Sequence, residues 1–185
     1  MRRFPFRSFI PVLSLAALAV TAAEAGAQAK PAAPQNFGVG YTDIGPTVGL
    51  GGLGGASASF GGRFEHAIKA LPDLGNGILG IQAGFEYYSW SGPGYSWKYI
   101  PIGVTGNYHF KLEDQRFDPF VGLGLGYQLI TCDAPGLPSG YCSNSAIYFI
   151  GRAGARYFFN PKMAFYGDVG AGAATLSLGV MFKLM

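Results

Sequence analysis

"YFIGRAGARYFF", Tyr148–Phe159, places Arg152 and Arg156 four residues apart in one of the most apolar stretches of the chain. A guanidinium is too costly to desolvate to sit among such neighbours without a partner or water. Read with a period of two, the stretch separates into two faces. Phe149, Gly151, Ala153, Ala155, Tyr157 and Phe159 share one; Tyr148, Ile150, Arg152, Gly154, Arg156 and Phe158 share the other. A helix would also align the arginines, but its polar face would then continue at i+3 and i+7, where the sequence has Ala155 and Phe159. The stretch therefore reads as a strand, with its arginines ~13 Å apart on one face. They point into a polar interior while alanines and rings meet an apolar medium.

The same alternation recurs elsewhere. "ILGIQAGFEYY" sets Leu79, Ile81, Ala83, Phe85 and Tyr87 against Gly80, Gln82, Gly84, Glu86 and Tyr88. "YIPIGVTGNYHF", "FDPFVGLGLGYQLIT" and "ATLSLGVMFKL" divide likewise into a greasy face and a face of glycine and polar groups. Weaker strands are expected over 44–53, 56–68 and 163–171, which makes eight. An even number suits a closed antiparallel barrel, and closure matters because an open sheet edge is not tolerated in lipid. Pro101 lacks a ladder donor and is expected at a bulge or a strand mouth.

Composition agrees. Only 12% of the chain is charged, against about 25% in soluble domains, while 15% is aromatic and 30 residues are glycine. Yet beyond the N-terminus no apolar run reaches the length of a membrane-spanning helix. Excess hydrophobicity without helical spans is the signature of a transmembrane β-barrel. A soluble lipocalin-like barrel would reverse the pattern and carry more surface charge.

The N-terminus reads as an export signal. Arg2, Arg3 and Arg7 precede "FIPVLSLAALAVTAA", and small residues follow at Ala25, Ala27 and Ala29. Residues 1–29 are expected to be a cleaved secretory signal and 30–43 a flexible leader, with the barrel over 44–185. Losing three arginines and Glu24 lowers the net charge from +3 to about +1. No basic stripe remains for nucleic acid.

Connections are expected to alternate between short joins at the periplasmic end ("KLEDQR", "NPK") and longer outer loops ("SGPGYSWK", "CDAPGLPSGYC"). Aromatic residues gather at both ends, as interfacial belts do. Tyr87, Tyr88, Trp90, Tyr95, Trp97 and Tyr99 lie toward the outer rim; Tyr108, Phe110, Phe117, Tyr157, Phe159 and Phe182 lie toward the inner one.

"YIPIGVTGNYHF" followed by "FDPFVGLGLGY", "GRAGARYFF" and the terminal "LSLGVMFKL" resembles the small eight-stranded outer-membrane β-barrels, the OmpA/OmpX-like and opacity-type porin-like proteins of Gram-negative envelopes. The resemblance covers nearly all of the expected mature chain. It implies residence in the outer membrane among lipopolysaccharide and phospholipid, and insertion by the outer-membrane assembly machinery. Such chains often end on an aromatic residue, whereas here Phe182 stands three positions short of the end. The family comprises mostly envelope-structural, adhesive or stress-protective proteins and a few lipid A-modifying enzymes, so it does not decide function.

Candidate sites follow from the inward face. Arg63, Glu65, Glu86, Arg152, Arg156, Asp168 and Lys183 nearly neutralise one another. In a barrel whose interior side chains fill it, they form a plug, or else a narrow conduction path. Cys132 and Cys142 flank a short outer loop in an oxidising compartment, which favours a disulfide over two free thiols. No histidine accompanies them, so no metal is expected; nor is any cofactor. "GLGGLG" at 49–54 fits a dinucleotide fingerprint but lacks a βαβ context, and reads as a strand and a tight turn. His66 and His109, the only histidines, read as satisfied rim residues. The expected function is a monomeric, non-enzymatic outer-membrane barrel with an envelope-structural or surface-contact role. Its extracellular ligand would meet the loop bearing Trp90, Tyr95 and Trp97. The alternatives are a narrow channel and a lipid A-modifying enzyme.

Overall fold

The computed structural model describes residues 36–133, 136, 138 and 144–184. The expected signal, residues 30–35 of the leader and Cys142 lie outside the described residues. Eight antiparallel strands follow one another around a closed barrel: β1 (Thr42–Leu50), β2 (Ala58–Leu71), β3 (Gly77–Gly92), β4 (Tyr95–His109), β5 (Phe117–Asp133), β6 (Asn144–Asn160), β7 (Met163–Ala171) and β8 (Leu176–Lys183). β8 closes on β1, with Asp43 opposite Lys183 and Leu50 opposite Leu176. Each ladder thus satisfies its neighbour's backbone without a free edge in the closed region.

The pleat sorts the side chains. Ile81, Phe85, Val104, Leu123, Leu125, Phe149 and Phe165 stand exposed on the outside, while Gln82, Glu86, Thr105, Asn107, Arg152 and Arg156 are buried within. An apolar exterior around a polar interior is the inverse of a soluble barrel, and it is what a lipid solvent demands.

Two prolines leave their mark without shifting the register. The β3–β4 pairing lapses between Phe85–Ile102 and Tyr88–Tyr99, across from Pro101. The β1–β8 pairing lapses between Ile44–Phe182 and Thr47–Gly179, at Pro46. Pro101 therefore lies mid-strand at a gap in one ladder, not at a bulge or a mouth; its missing N–H costs one bond and the register resumes. The bulges fall elsewhere, at Ala67/Lys69 and at Phe158/Asn160.

Several boundaries differ from the sequence reading. β1 begins at Thr42, and residues 36–41 lie across the end of the barrel where β1 begins and β8 ends, its terminal end, so the leader expected over 30–43 has a fixed path from residue 36 on. Gly40 N–H donates to Ala67 O (2.8 Å), Ala67 N–H to Tyr41 O (2.9 Å), and Asn36 Nδ2 to Gln115 O (2.9 Å). "SGPGYSWK" is mostly strand, turning only at residues 93–94, because the alternation runs on through Trp90 and Trp97. Leu53 belongs to the β1–β2 connection, where Gly51, Gly52 and Gly54 take positive φ and fold it back into the barrel mouth.

Strand lengths are unequal, with a structural consequence. β1, β7 and β8 have 9, 9 and 8 residues, close to the ~9–11 that cross a bilayer. β3, β4, β5 and β6 have 16, 15, 17 and 17. Beyond the last β2–β3 pair, Phe60–Tyr87, β3 continues through Gly92; before the first β6–β7 pair, Gly151–Ala171, β6 already runs from Asn144. A curved four-stranded wall therefore rises above one side of the closed barrel, at the end opposite the start of β1 and the end of β8.

The closed ladder predicts heat-modifiability. Full-length protein in detergent, loaded unboiled on a denaturing gel, is expected to migrate faster than the boiled sample; identical mobility of a folded β preparation would contradict closure.

Candidate functional site

The lumen is built in layers. At the terminal end Phe37, Tyr41 and Phe158 pack with Ala67, Ile78 and Ala164. Phe37 stacks on the His109 ring at 3.8 Å and lies 5.1 Å from the Arg156 guanidinium. Tyr41 OH donates to Asp43 Oδ2 (3.0 Å), and its burial, with Asp43 beside it, raises its pKa. Lys183 Nζ sits 5.4 Å over the Tyr41 ring, at the margin of this layer.

Inside that layer lies the first charge network, centred on Arg156. From β6 the guanidinium reaches three other strands: Nε donates to Asp43 Oδ2 on β1 (3.0 Å), Nη1 to Asp118 Oδ2 on β5 (3.2 Å), and Nη2 to Glu65 Oε2 on β2. Glu65 also accepts from Gln82 Nε2 and Asn107 Nδ2, each at 3.0 Å. His109 links the carboxylates, with Nε2 2.8 Å from Glu65 Oε1 and Nδ1 3.0 Å from Asp118. Both ring nitrogens face carboxylate oxygens, so the imidazolium form donates to both. Two cations then meet three carboxylates, in a cluster where Arg156 and Glu65 have no solvent exposure.

Phe120, Tyr166 and Met181 form the next layer, with the guanidinium carbon of Arg156 5.5 Å and 5.6 Å from the two ring centroids. Above it lies the second network. Arg152 Nε donates to Asp168 Oδ1 (2.6 Å), Nη1 to Ala174 O (2.7 Å) and Nη2 to Ser177 Oγ (3.1 Å). Arg63 Nη2 reaches the same Ser177 Oγ and Glu86 Oε1, both at 3.1 Å, and Ser59 Oγ donates to Glu86 Oε2 (2.6 Å). Tyr166 OH donates to Asp168. Here two cations balance two carboxylates.

Gly154 explains why the two networks can share one strand. It lies between the arginines on the inward face of β6. A Cβ there would press on the Gly167 carbonyl oxygen and come within 2.7 Å of both Asp168 Cβ and Phe120 Cζ. Bare backbone leaves that space to the ring and the carboxylate.

The last layer closes the opposite mouth: Leu53, Tyr88 and Ala174, with Ala56 and Tyr99 packed on them. Tyr88 and Tyr99 stack at 4.8 Å and 8°, and Gln128 Nε2 donates to Tyr88 OH (2.7 Å).

Of the residues singled out from the sequence, Arg63, Glu65, Glu86, Arg152, Arg156 and Asp168 join these two networks, and Lys183 stands at the rim. Asp43, Asp118 and His109 belong to the first network and escaped the sequence reading. Asp43 fell within the expected leader. Asp118 opens a strand at "FDP", where a turn carboxylate is the ordinary reading. His109 was assigned to the rim, yet it is 2% exposed, covered by Phe37. His66 does lie at the terminal end, with Nδ1 2.7 Å from Thr42 Oγ1. Trp90, Tyr95 and Trp97 sit on paired strands, not on a loop, and Tyr88, Trp90, Trp97 and Tyr99 occupy the inward face of the pleat. They are therefore not part of a lipid-facing belt; Tyr87 alone of that group faces outward in the belt manner. Cys132 lies on β5 opposite Trp97.

Neither protein-family models nor curated proteins match the sequence. Solved structures match the fold. The attachment invasion locus protein Ail of Yersinia pestis, in complex with the heparin analogue sucrose octasulfate, is similar at 11% identity over 77% of this chain and 93% of that one, with a TM-score of 0.52. Neisserial surface protein A is similar at 16% identity over 78% and 97%, with a TM-score of 0.51. The N-terminal β-barrel domain of Pseudomonas aeruginosa OprF is similar at 17% identity over 80% and 100%, with a TM-score of 0.50. The chain has the fold of these small eight-stranded outer-membrane barrels.

Removing one member of a buried ion cluster leaves its partners uncompensated, at a cost of roughly 3–5 kcal/mol. Arg156→Met should lose about that much, read from the urea midpoint of the heat-modifiable band. Glu86→Gln should lose less than half as much, because Arg63 keeps Ser177 and the amide still accepts. Equal losses would contradict the central place given to Arg156.

Proposed function

We propose that the protein is a non-enzymatic integral outer-membrane barrel whose lumen is a structural core and whose raised wall makes contacts outside the cell. The supporting observation is the lumen itself: two ion networks lie between three buried layers, Phe37/Tyr41/Phe158, Phe120/Tyr166/Met181 and Leu53/Tyr88/Ala174. A conduction path would need to break ion pairs in both networks. Hydrolytic chemistry is disfavoured because His109 has both nitrogens engaged by carboxylates and a ring stacked over it, while His66 faces the Thr42 hydroxyl with no carboxylate among the described residues bonded to its ring to orient it.

With the β4–β5 and β6–β7 connections, which hold "KLEDQR" and "NPK", on the periplasmic side, the wall points outward. It acts as an envelope-structural or surface-contact element in a monomer surrounded by lipopolysaccharide and phospholipid and inserted by the outer-membrane assembly machinery. A Cys132–Cys142 disulfide clamps the base of the β5–β6 loop next to Trp97.

Purified protein in planar bilayers is expected to show no discrete conductance steps. Stepwise, salt-dependent currents altered by Glu86→Gln would establish the channel reading instead. Bacteria displaying the full chain should adhere to glycoprotein-coated surfaces more than bacteria displaying a Trp90→Ser/Tyr95→Ser/Trp97→Ser variant of equal surface level. Equal adherence would remove the surface-contact role.

A further inference from the structure

The concave face of the raised wall carries aromatic side chains in rungs. Tyr88 on β3 lies directly opposite Tyr99 on β4, Trp90 opposite Trp97, and Tyr95 opposite Gly92, whose bare backbone accommodates the Tyr95 ring. The lowest rung is a stacked pair packed into the barrel cap. Trp97 follows at 6.2 Å and 21° from Tyr99, and Trp90 meets Tyr95 edge to face at 5.6 Å. Exposure grows upward, from the buried Tyr88 to Tyr95 at 40%. Core packing accounts for the lowest rung and for one side of Trp90, whose ring lies on the Gly55 backbone of the β1–β2 connection, but not for Trp97 or Tyr95. An interfacial belt accounts for none of them, since belts face lipid.

Three features of this face identify a ligand class. Its rings are set among uncharged hydrogen-bonding groups: the hydroxyls of Tyr99 and Tyr148, the Gln128 amide, whose nitrogen donates to Tyr88 OH, and the Asn144 amide, whose oxygen accepts from Ser145 N–H; the Trp90 indole N–H is buried beside them. The wall's only charged residues, Lys98 and Asp133, alternate with Trp97 and Cys132 along their strands and so belong to the convex face. Finally, the wall itself stands between the rungs and the lipid behind them, so the face is reached across the low β7–β8–β1 side from the aqueous phase. Rings with neutral donors and acceptors suit a hydroxylated ligand, whose C–H faces pack on aromatic surface while its hydroxyls hydrogen-bond. A sulfated or phosphorylated chain would find no counter-charge there. A proline-rich peptide would use the rings and leave the polar groups idle.

We infer that the concave face of the raised wall binds a neutral glycan chain presented from solution, with Trp97, Tyr95 and Trp90 as its stacking surface. This rests on the surface-contact reading above and names the ligand class for it. Because the rungs sit on paired strands, little ordering is required on binding.

The chain contains only two tryptophans, both in the rungs, so intrinsic fluorescence reports on this face directly. Full-length protein in detergent would be titrated with malto-, cello- and chitohexaose, with sucrose octasulfate and a proline-rich decapeptide as comparison ligands. A saturable change in emission is expected with at least one neutral hexasaccharide. Affinity should fall roughly tenfold in Trp97→Ala, where Trp90 still reports, and in the more exposed Tyr95→Ala, with heat-modifiability intact in both. The inference is overturned by no saturable change with any neutral hexasaccharide up to about 10 mM, by an undiminished response in both variants, or by saturation with only the sulfated ligand or the peptide. If the triple variant loses adherence while no glycan responds, the contact role stands with another ligand; if adherence never depended on these residues, the contact role itself fails.

Discussion

The structure turns on one buried cation. Arg156 extends from β6 to carboxylates on β1, β2 and β5, so a single guanidinium ties together half of the strands, including one of the pair whose meeting closes the barrel. In a lumen walled off by protein and surrounded by lipid, no bulk water is available to solvate a stray charge, and each carboxylate must find a donor inside. Most of the other lumen groups follow from that demand. His109 supplies the second cation, Gln82 and Asn107 fill remaining acceptor sites on Glu65, and Phe37 and Tyr41 cover the cluster from the terminal side. The geometry also gives the N-terminal residues 36–41 a role in the core, which a strand-by-strand view of a barrel would not assign to them.

Ion networks of this kind give little net stability over a well-packed apolar core, but their geometry discriminates strongly against alternatives. A slip of one residue in any ladder would turn its inward charges to lipid. The two networks on β6, separated by Gly154 and the Phe120/Tyr166/Met181 layer, therefore act as register marks for their neighbours. Inequality of strand length then divides the labour. The closed region, matched to a bilayer by its shortest strands, is spent on stability. The surplus of β3–β6 is free of the closure requirement, and there the inward face changes from charges to rings.

The alternation of "YFIGRAGARYFF" was sufficient to place Arg152 and Arg156 inside, because period two leaves a side chain only two options. The same reasoning placed Glu86, Asp168 and Arg63 on the inward face. It did not reach Asp43 or Asp118, since both stand where a strand begins and a turn residue reads the same as a strand residue. It missed the burial of His109 because the covering ring, Phe37, comes from a segment with no periodicity of its own. It also assigned Trp90 and Trp97 to an interfacial loop on composition alone; cross-strand pairing put them on the inner face instead.

What the sequence by itself determined is the identity of each face, the number of strands and the solvent on each side, for these depend on local alternation and on overall polarity. What only the tertiary structure decided is which charges meet, where the mouths are sealed, and that the longer strands gather on one side as a wall. Those features depend on contacts between strands far apart in the chain: Arg156 meets Asp43 across 113 positions, and Trp90 meets Trp97 because the register continues past the expected turn. Periodicity records the direction in which a side chain points, but not what stands opposite it.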